Sequence, residues 1–155
     1  MDNSQAATID TKVPADIVSL RTQLVSKGHT KRLLAGTDIM SVHIHCYSSH
    51  GGENGLHAHT QEDHMFVVLQ GEAQFFGVDG ALPRVKKHQA IFLPRGCQYS
   101  FSNEAEEPLV LLRFGAHNKG ENPSMRIDPN GHDILSRAQQ KGAAKPVVIE
   151  NAFFE

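Results

Sequence analysis

Residues 57–71 read HAHTQEDHMFVVLQG, and the stretch changes character halfway along. His57, His59 and His64 fall within eight positions, and directly after them Met65 to Leu69 is apolar without a break until Gln70 and Gly71 end the run. An apolar run this short, rich in Phe and Val and bounded by a polar loop and a glycine, reads as a buried strand. Residues i and i+2 of a strand share a face, so His57 and His59 point the same way. If TQED closes an antiparallel hairpin, His59 faces His64 and His57 faces Phe66, and three imidazoles converge with Phe66 and Val68 continuing their face inward. Three neutral imidazoles at one point suit a divalent first-row metal and leave positions for water, substrate or dioxygen.

Outward from this stretch the same rhythm repeats. Short period-two segments, cut by glycine, proline and Asp-Gly signals, give candidate strands at 40–47, 55–59, 64–70, 72–78, 81–86, 90–93, 97–102 and 108–115. The VDGA stretch around Asp79 and Gly80 is the clearest two-residue hairpin turn. So many short strands with no helix between them imply an all-β sandwich or barrel. One helical pattern precedes them: in PADIVSLRTQLVSKG, Ile17, Leu20 and Leu24 are spaced by three and four, with Pro14 in a first turn and Gly28 past the end. The expected organisation is an N-terminal extension over 1–36 with one helix near 15–27, a barrel over 37–118, and a C-terminal extension over 119–155. The extension's PVVIENAFF should dock on the barrel or on a partner subunit. Because the strand 64–70 is apolar on both faces, the helix and a second subunit are expected to cover its outer side, which predicts a homodimer.

At 155 residues the chain suits one domain that needs no disulfides to hold its core. A net charge of -2 gives no electrostatic footprint for nucleic acid or an anionic membrane, which leaves a small-molecule substrate as the expected partner. The polar N-terminus lacks the apolar core of a signal peptide and no apolar run is long enough to span a bilayer, so a cytoplasmic location is expected. Cys46 and Cys97 then read as thiols.

The segment resembles the first motif of the cupin superfamily, a glycine followed by His-x-His, an acidic ligand and a second glycine. Gly51 stands six residues before His57 and Gly71 seven after His64, with His64 where most cupins carry glutamate. The second motif is matched in PRGCQYSFSN by Pro94, Gly96, Tyr99 and Asn103, with Tyr99 at the usual histidine position. The resemblance implies a small jelly-roll β-barrel. It also implies one divalent metal ion, with Fe(II) favoured and Zn, Ni or Mn as alternatives, held by His57, His59 and His64 with Tyr99 as fourth group. Tyr99 is a phenolate ligand, a hydrogen-bond donor near the metal, or an acid in the mechanism. Replacing glutamate by His64 removes a negative charge and makes the site friendlier to an anionic substrate.

Glu62 and Asp63 are the remaining carboxylates nearby, and the hairpin phase turns Asp63 away as a solvated loop residue. Phe66, Cys97, Phe101 and Arg113 are candidate substrate contacts. Arg113 interrupts an otherwise apolar strand and must find a carboxylate, either on a substrate or within the protein, unless it reaches an edge. His43 and His45 alternate with Val42, Ile44 and Cys46 and are expected to face outward; His50 belongs to a loop that could reach the site, and Arg95 to the rim. Three functions fit: a dioxygenase-like enzyme acting on a small organic acid or aromatic compound, a metal-dependent isomerase, lyase or hydrolase using Tyr99 for proton transfer, or a non-catalytic binding domain. Fold alone does not choose among them.

Overall fold

A computed structural model describes residues 12–135 and 145–155. Among these residues the regular structure is entirely strand, and no helix is long and apolar enough to cross a membrane. Five strands form one sheet in the order β2 (His29–Gly36), β3 (Met40–Tyr47), β11 (Leu109–Ala116), β5 (Asp63–Gln70) and β9 (Ala90–Leu93). The second follows β12 (Arg126–Ile127), β4 (Gly52–His59), β10 (Tyr99–Ser102), β6 (Glu72–Gly77) and β7 (Gly80–Ala81), with β8 (Val85–Lys86) also on β6. The sheets face each other across an interior in which Tyr47, Phe66, Phe75, Tyr99 and Phe101 are buried. Phe101 meets Tyr47 at 5.1 Å, Phe75 at 5.0 Å and Phe66 at 5.7 Å between ring centroids, so aromatics of both sheets interlock. Among the described residues no ladder joins the two sheets, so the architecture is a two-layer jelly roll and not a closed barrel.

The expected N-terminal helix is absent. Its residues run extended into β1 (Thr22–Lys27), which pairs antiparallel with β13 (Val147–Phe154) through Thr22↔Phe154 and Val25↔Val148. Spacings of three and four suggested a helix, but Ile17 is 98% exposed, while Val25 is fully buried with Leu20 and Leu24 packed around its cluster. Pairing with the distant C-terminal strand overrides a weak local preference. Gly28, expected just past a helix end, adopts φ 79° in the tight link from β1 to β2, a left-handed conformation that glycine takes without steric cost. The Asp79-Gly80 signal is a turn as expected, with Gly77 pairing Gly80.

The β1–β13 ribbon covers the outside of the five-stranded sheet. Between ribbon and sheet, Val25 of β1 and Ile44, Cys46 and Val110 of the sheet are fully buried, with Leu69 and Leu112 and, from β13, Phe154 packed against them. The C-terminal strand therefore docks on its own fold, and one outward residue of β5, Leu69, is covered from within the chain. Met65 and Phe92, paired across β5 and β9, remain exposed. This outer core also reverses the expected phase of β3. Ile44 and Cys46 point out into it, so His43 and His45, with Tyr47, face inward.

Candidate metal centre

β4 carries His57 and His59, β5 carries His64, and β10 sets Tyr99 opposite His57. No hairpin joins β4 to β5: β4 pairs with β10 and β12, whereas β5 pairs with β11 and β9. The loop Thr60 to Glu62 instead crosses from one sheet to the other. The imidazoles still converge, because inward faces of opposed sheets meet in the interior. His59 and His64 lie 4.1 Å apart by ring centroids, His57 and His59 5.5 Å, and His57 and Tyr99 4.5 Å. All four side chains are buried.

The donors brought closest are not the expected set. His59, Glu62 and His64 each offer a ligand atom, and these atoms all lie within 4.8 Å of one another. Glu62, read as a neighbour in a polar loop, is 2% exposed. Its Oε2 lies 2.7 Å from His64 Nε2 and 3.8 Å from His59 Nδ1. His57 stands beside this trio: its Nδ1–H donates to the Gly55 carbonyl at 2.7 Å, and its Nε2 is buried without a hydrogen-bond partner. An orphaned imidazole nitrogen is costly unless something accepts it, and a metal ion would. The Tyr99 hydroxyl is 3.3 Å from His64 Nδ1 and touches the centre through that ring. Two imidazoles and a carboxylate, with a further imidazole at hand, fit a divalent first-row ion.

Two arginines complete the centre. Arg113 reaches in from β11, and its Nη2 donates to Glu62 Oε2 at 2.5 Å while lying 2.6 Å from His64 Nε2. This is the carboxylate that a lone arginine in an apolar strand demanded, supplied from within the protein. Arg126 comes from β12 in the C-terminal extension and had drawn no attention in the sequence; its Nε donates to His59 Nε2 and its Nη2 to Glu53 Oε2, both at 3.1 Å. The segment around Arg126 lies across this end of the fold, with the Pro123 carbonyl accepting from His59 Nδ1 at 3.1 Å and Arg126–Ile127 pairing with His59–Ala58.

Burial and these cations set the protonation states. Burial holds His64 down at about 4 and drives His59 far lower, with the neighbouring His64 and the arginines adding to the effect; His57 is lowered by burial and Arg126. All three imidazoles are therefore neutral at pH 7, the form that binds metal. Burial alone would raise Glu62, but the hydrogen bond from His64 and the charge of Arg113 outweigh it and keep the carboxylate ionised. Burial, with the Glu53 charge, pushes the Tyr99 phenol well above its ordinary value. Without a metal ion Tyr99 is consequently a protonated phenol.

The other expected residues fall as follows. Phe66 and Phe101 are core aromatics, with Phe66 6.0 Å from His64 and 5.9 Å from Tyr99. Cys97 packs half-buried against the same core. Arg95 sits at the rim, where its backbone N–H and guanidinium bond Asp63 and Nη1 reaches Glu121, so Asp63 is tied down and not simply solvated. His50 is exposed and pairs with Glu106 at 3.6 Å, away from the centre. His43 and His45, expected outside, line the interior instead: His45 is 5% exposed, its Nδ1 is 2.8 Å from His29 Nε2, and its Nε2 is buried and unpartnered. A surface hollow of about 520 Å³ lies elsewhere, lined by Leu82, Pro83, Arg84, Val85, Gln89, Ala90 and Ile91.

Residues 44–115 match the model of the cupin domain. No curated protein matches the sequence. Among solved structures, a conserved protein of unknown function from Streptococcus pyogenes superposes with a TM-score of 0.56 at 18% identity, covering 75% of this chain and 99% of that one. The cupin domain of Cnp3 from Schizosaccharomyces pombe gives 0.55 at 18% identity, covering 61% and 68%. An RmlC-like cupin from Shewanella frigidimarina gives 0.52 at 14% identity, covering 60% and 79%. At these identities the likeness is one of fold: residues 44–115, from β3 to β11, are similar to a cupin domain, and the solved structures share its jelly-roll architecture.

Proposed function

We propose that this protein binds one divalent metal ion through His59, Glu62 and His64, with His57 as a further donor, and that it is a dioxygenase-like enzyme acting on a small organic acid or aromatic compound. The observation that carries the reading is the buried trio of two imidazoles and one carboxylate within 4.8 Å. That donor type, with positions left open, is the one associated with non-haem Fe(II), which makes Fe(II) the favoured ion over Zn, Ni or Mn. A bound Fe(II) would supply the redox chemistry that joins dioxygen to substrate. The chain's own residues supply the rest: Arg113 orients Glu62 and balances its charge, Tyr99 keeps a proton beside His64, and Phe66 and Phe101 keep the interior apolar.

The place of Tyr99, with its hydroxyl 3.3 Å from His64 Nδ1, also supports a second reading, a metal-dependent isomerase or lyase in which the phenol, its pKa lowered by the bound ion, takes part in proton transfer. Metal analysis of untagged protein separates the two. Stoichiometric iron, with oxygen uptake on a panel of small carboxylic acids and phenols, supports the first; zinc, nickel or manganese without oxygen uptake supports the second. Wild-type protein that takes up none of these ions overturns the metal centre. Glu62→Gln and His64→Ala are expected to lower metal affinity by roughly tenfold or more, the cost of losing or weakening a ligand.

A further inference from the structure

The residue least accounted for by the cupin motifs is Arg126. It lies outside residues 44–115, yet its side chain is only 12% exposed where it meets the centre, with Glu53 17% exposed beside it. We propose that Arg126 is the anchor for an anionic oxygen group of the ligand, held in reserve by His59 and handed to that group when the metal binds. The proposal rests on the metal reading above.

The argument starts from the His59 ring. Its Nδ1–H is committed to the Pro123 carbonyl, so its lone pair is on Nε2, where Arg126 Nε–H takes it. Whichever ring nitrogen faces an incoming ion, Arg126 loses this acceptor. At Nε2 the ion takes the lone pair itself; at Nδ1 the ring proton must move to Nε2, and two N–H groups then point at each other. The freed Nε–H lies where little of the side chain meets solvent, and a donor left without a partner there is costly. Its remaining partner, Glu53, holds only the Nη2 side of the fork.

Charge leads to the same ligand. Arg113 with Glu62 and Arg126 with Glu53 are two neutral pairs, and neutral histidines add nothing. A divalent ion makes the cluster cationic by two. Lys31 on β2 adds a further positive charge nearby, and its own pKa is lowered by burial and by the charge of Arg113 and, more weakly, of Arg126. A guanidinium facing a dication is repelled unless an anion lies between them. A carboxylate meets both needs, with one oxygen on the metal and the other accepting from Arg126, and such planar oxyanions match the guanidinium fork. The segment is already fixed on both sides of Arg126 by Asn122 N–H to Gln61, by the Arg126–Ile127 pairing, and by Gln98 to the Asp128 carbonyl, so only the side chain has to change partner.

The test uses the full chain loaded with Co(II), whose visible spectrum responds to a change of ligand, titrated with acetate and with neutral acetamide as control. Wild-type protein is expected to bind acetate and ignore acetamide. Arg126→Gln should keep Co(II) at least as tightly as wild type, because a competitor for His59 is gone. Its acetate affinity should fall by roughly 10- to 100-fold, the value of one charge-assisted hydrogen bond. Glu53→Gln, which frees the fork, should tighten acetate binding, and it keeps the test alive if Arg126→Gln fails to fold. Acetate binding unchanged in both variants, or a wild-type Co(II) spectrum that acetate does not alter, overturns the proposal while leaving the metal centre standing. Failure of the wild type to take Co(II) at all overturns both.

Discussion

At the scale of single residues, Gly115 shows how closely the centre is fitted. It pairs with His64 across β11 and β5, and a Cβ built there would overlap the Glu62 carboxylate and come within 3.3 Å of Arg113. Alanine is no worse than glycine in a strand, so Gly115→Ala would be mild if backbone preference decided the matter. It does not, because Glu62 must leave its seat and Arg113 is then a buried cation without its partner. We expect a loss of about 3 kcal/mol in urea denaturation, the usual cost of breaking a buried pair from one side, together with a marked fall in metal affinity. Gly55→Ala, where an added Cβ meets nothing within 4 Å, is the control and should be near neutral. A Gly115→Ala protein as stable as the control would mean that the Glu62 seat is soft. These residues also mark what could be read in advance. The His-x-His pair was legible because its spacing fixes which face it takes, and Tyr99 because the resemblance to the second cupin motif puts it at the usual histidine position. Glu62 was not, since TQED looks like any polar loop, although the lone Arg113 called for a carboxylate on a substrate or within the protein unless it reached an edge.

At the scale of elements, the boundaries of the central strands were legible, but β1 and β2 were not, and neither were the partnerships. Period two locates β3, β5 and β11 within a residue or so, but it says nothing about which sheet a strand joins; that is how β4 and β5 came to be read as a hairpin when they lie in opposed layers. The outward direction of His43 and His45 failed for a related reason. Apolar residues were assumed to mark the interior, and here a second apolar layer lies outside, under the β1–β13 ribbon. Removing residues 147–155 should uncover that layer. Val25, Ile44 and Val110 are each fully buried there, and uncovering even part of this set should cost roughly 3 kcal/mol or more, at about 1.5–3 kcal/mol for each buried aliphatic side chain. Cys46, fully buried with its thiol pKa raised by burial, gives a direct readout. In the full chain a thiol reagent should label Cys97 first and Cys46 slowly; in the truncated chain both should react quickly. Continued protection of Cys46 after truncation would show that the ribbon does not seal this face.

At the scale of the whole molecule, an interior this rich in neutral histidine makes the metal-free fold sensitive to acid. His43 is held down at about 4, first by burial and then by the charges of Lys31 and Arg113, and His45 lies well below its ordinary value of 6.5 for the same leading reason, with His29 the next-largest cause. Between pH 6.5 and 4 the unfolded chain takes up protons at these positions while the folded chain does not, so unfolding is favoured as the pH falls. The stability is complete above 6.5 and is lost on the way down, with a slope of up to about 1.4 kcal/mol per pH unit for the fully buried His45. Glu53 acts lower: burial would raise its pKa, but Arg126 and His57 hold it down, so its contribution is present above the ordinary carboxylate range and disappears only as the pH falls through its lowered value. The two kinds of group thus act in sequence, histidines first and carboxylates after. Urea midpoints of metal-free protein measured from pH 7.5 to 4.5 should fall steadily below 6.5. His45→Gln, which keeps a polar side chain but cannot take up a proton in this range, should flatten part of that fall. A midpoint constant across this window, or a His45→Gln profile parallel to wild type, would mean that the buried imidazoles accept protons in the folded state, and that water reaches an interior which the packing of Tyr47 and Phe101 closes.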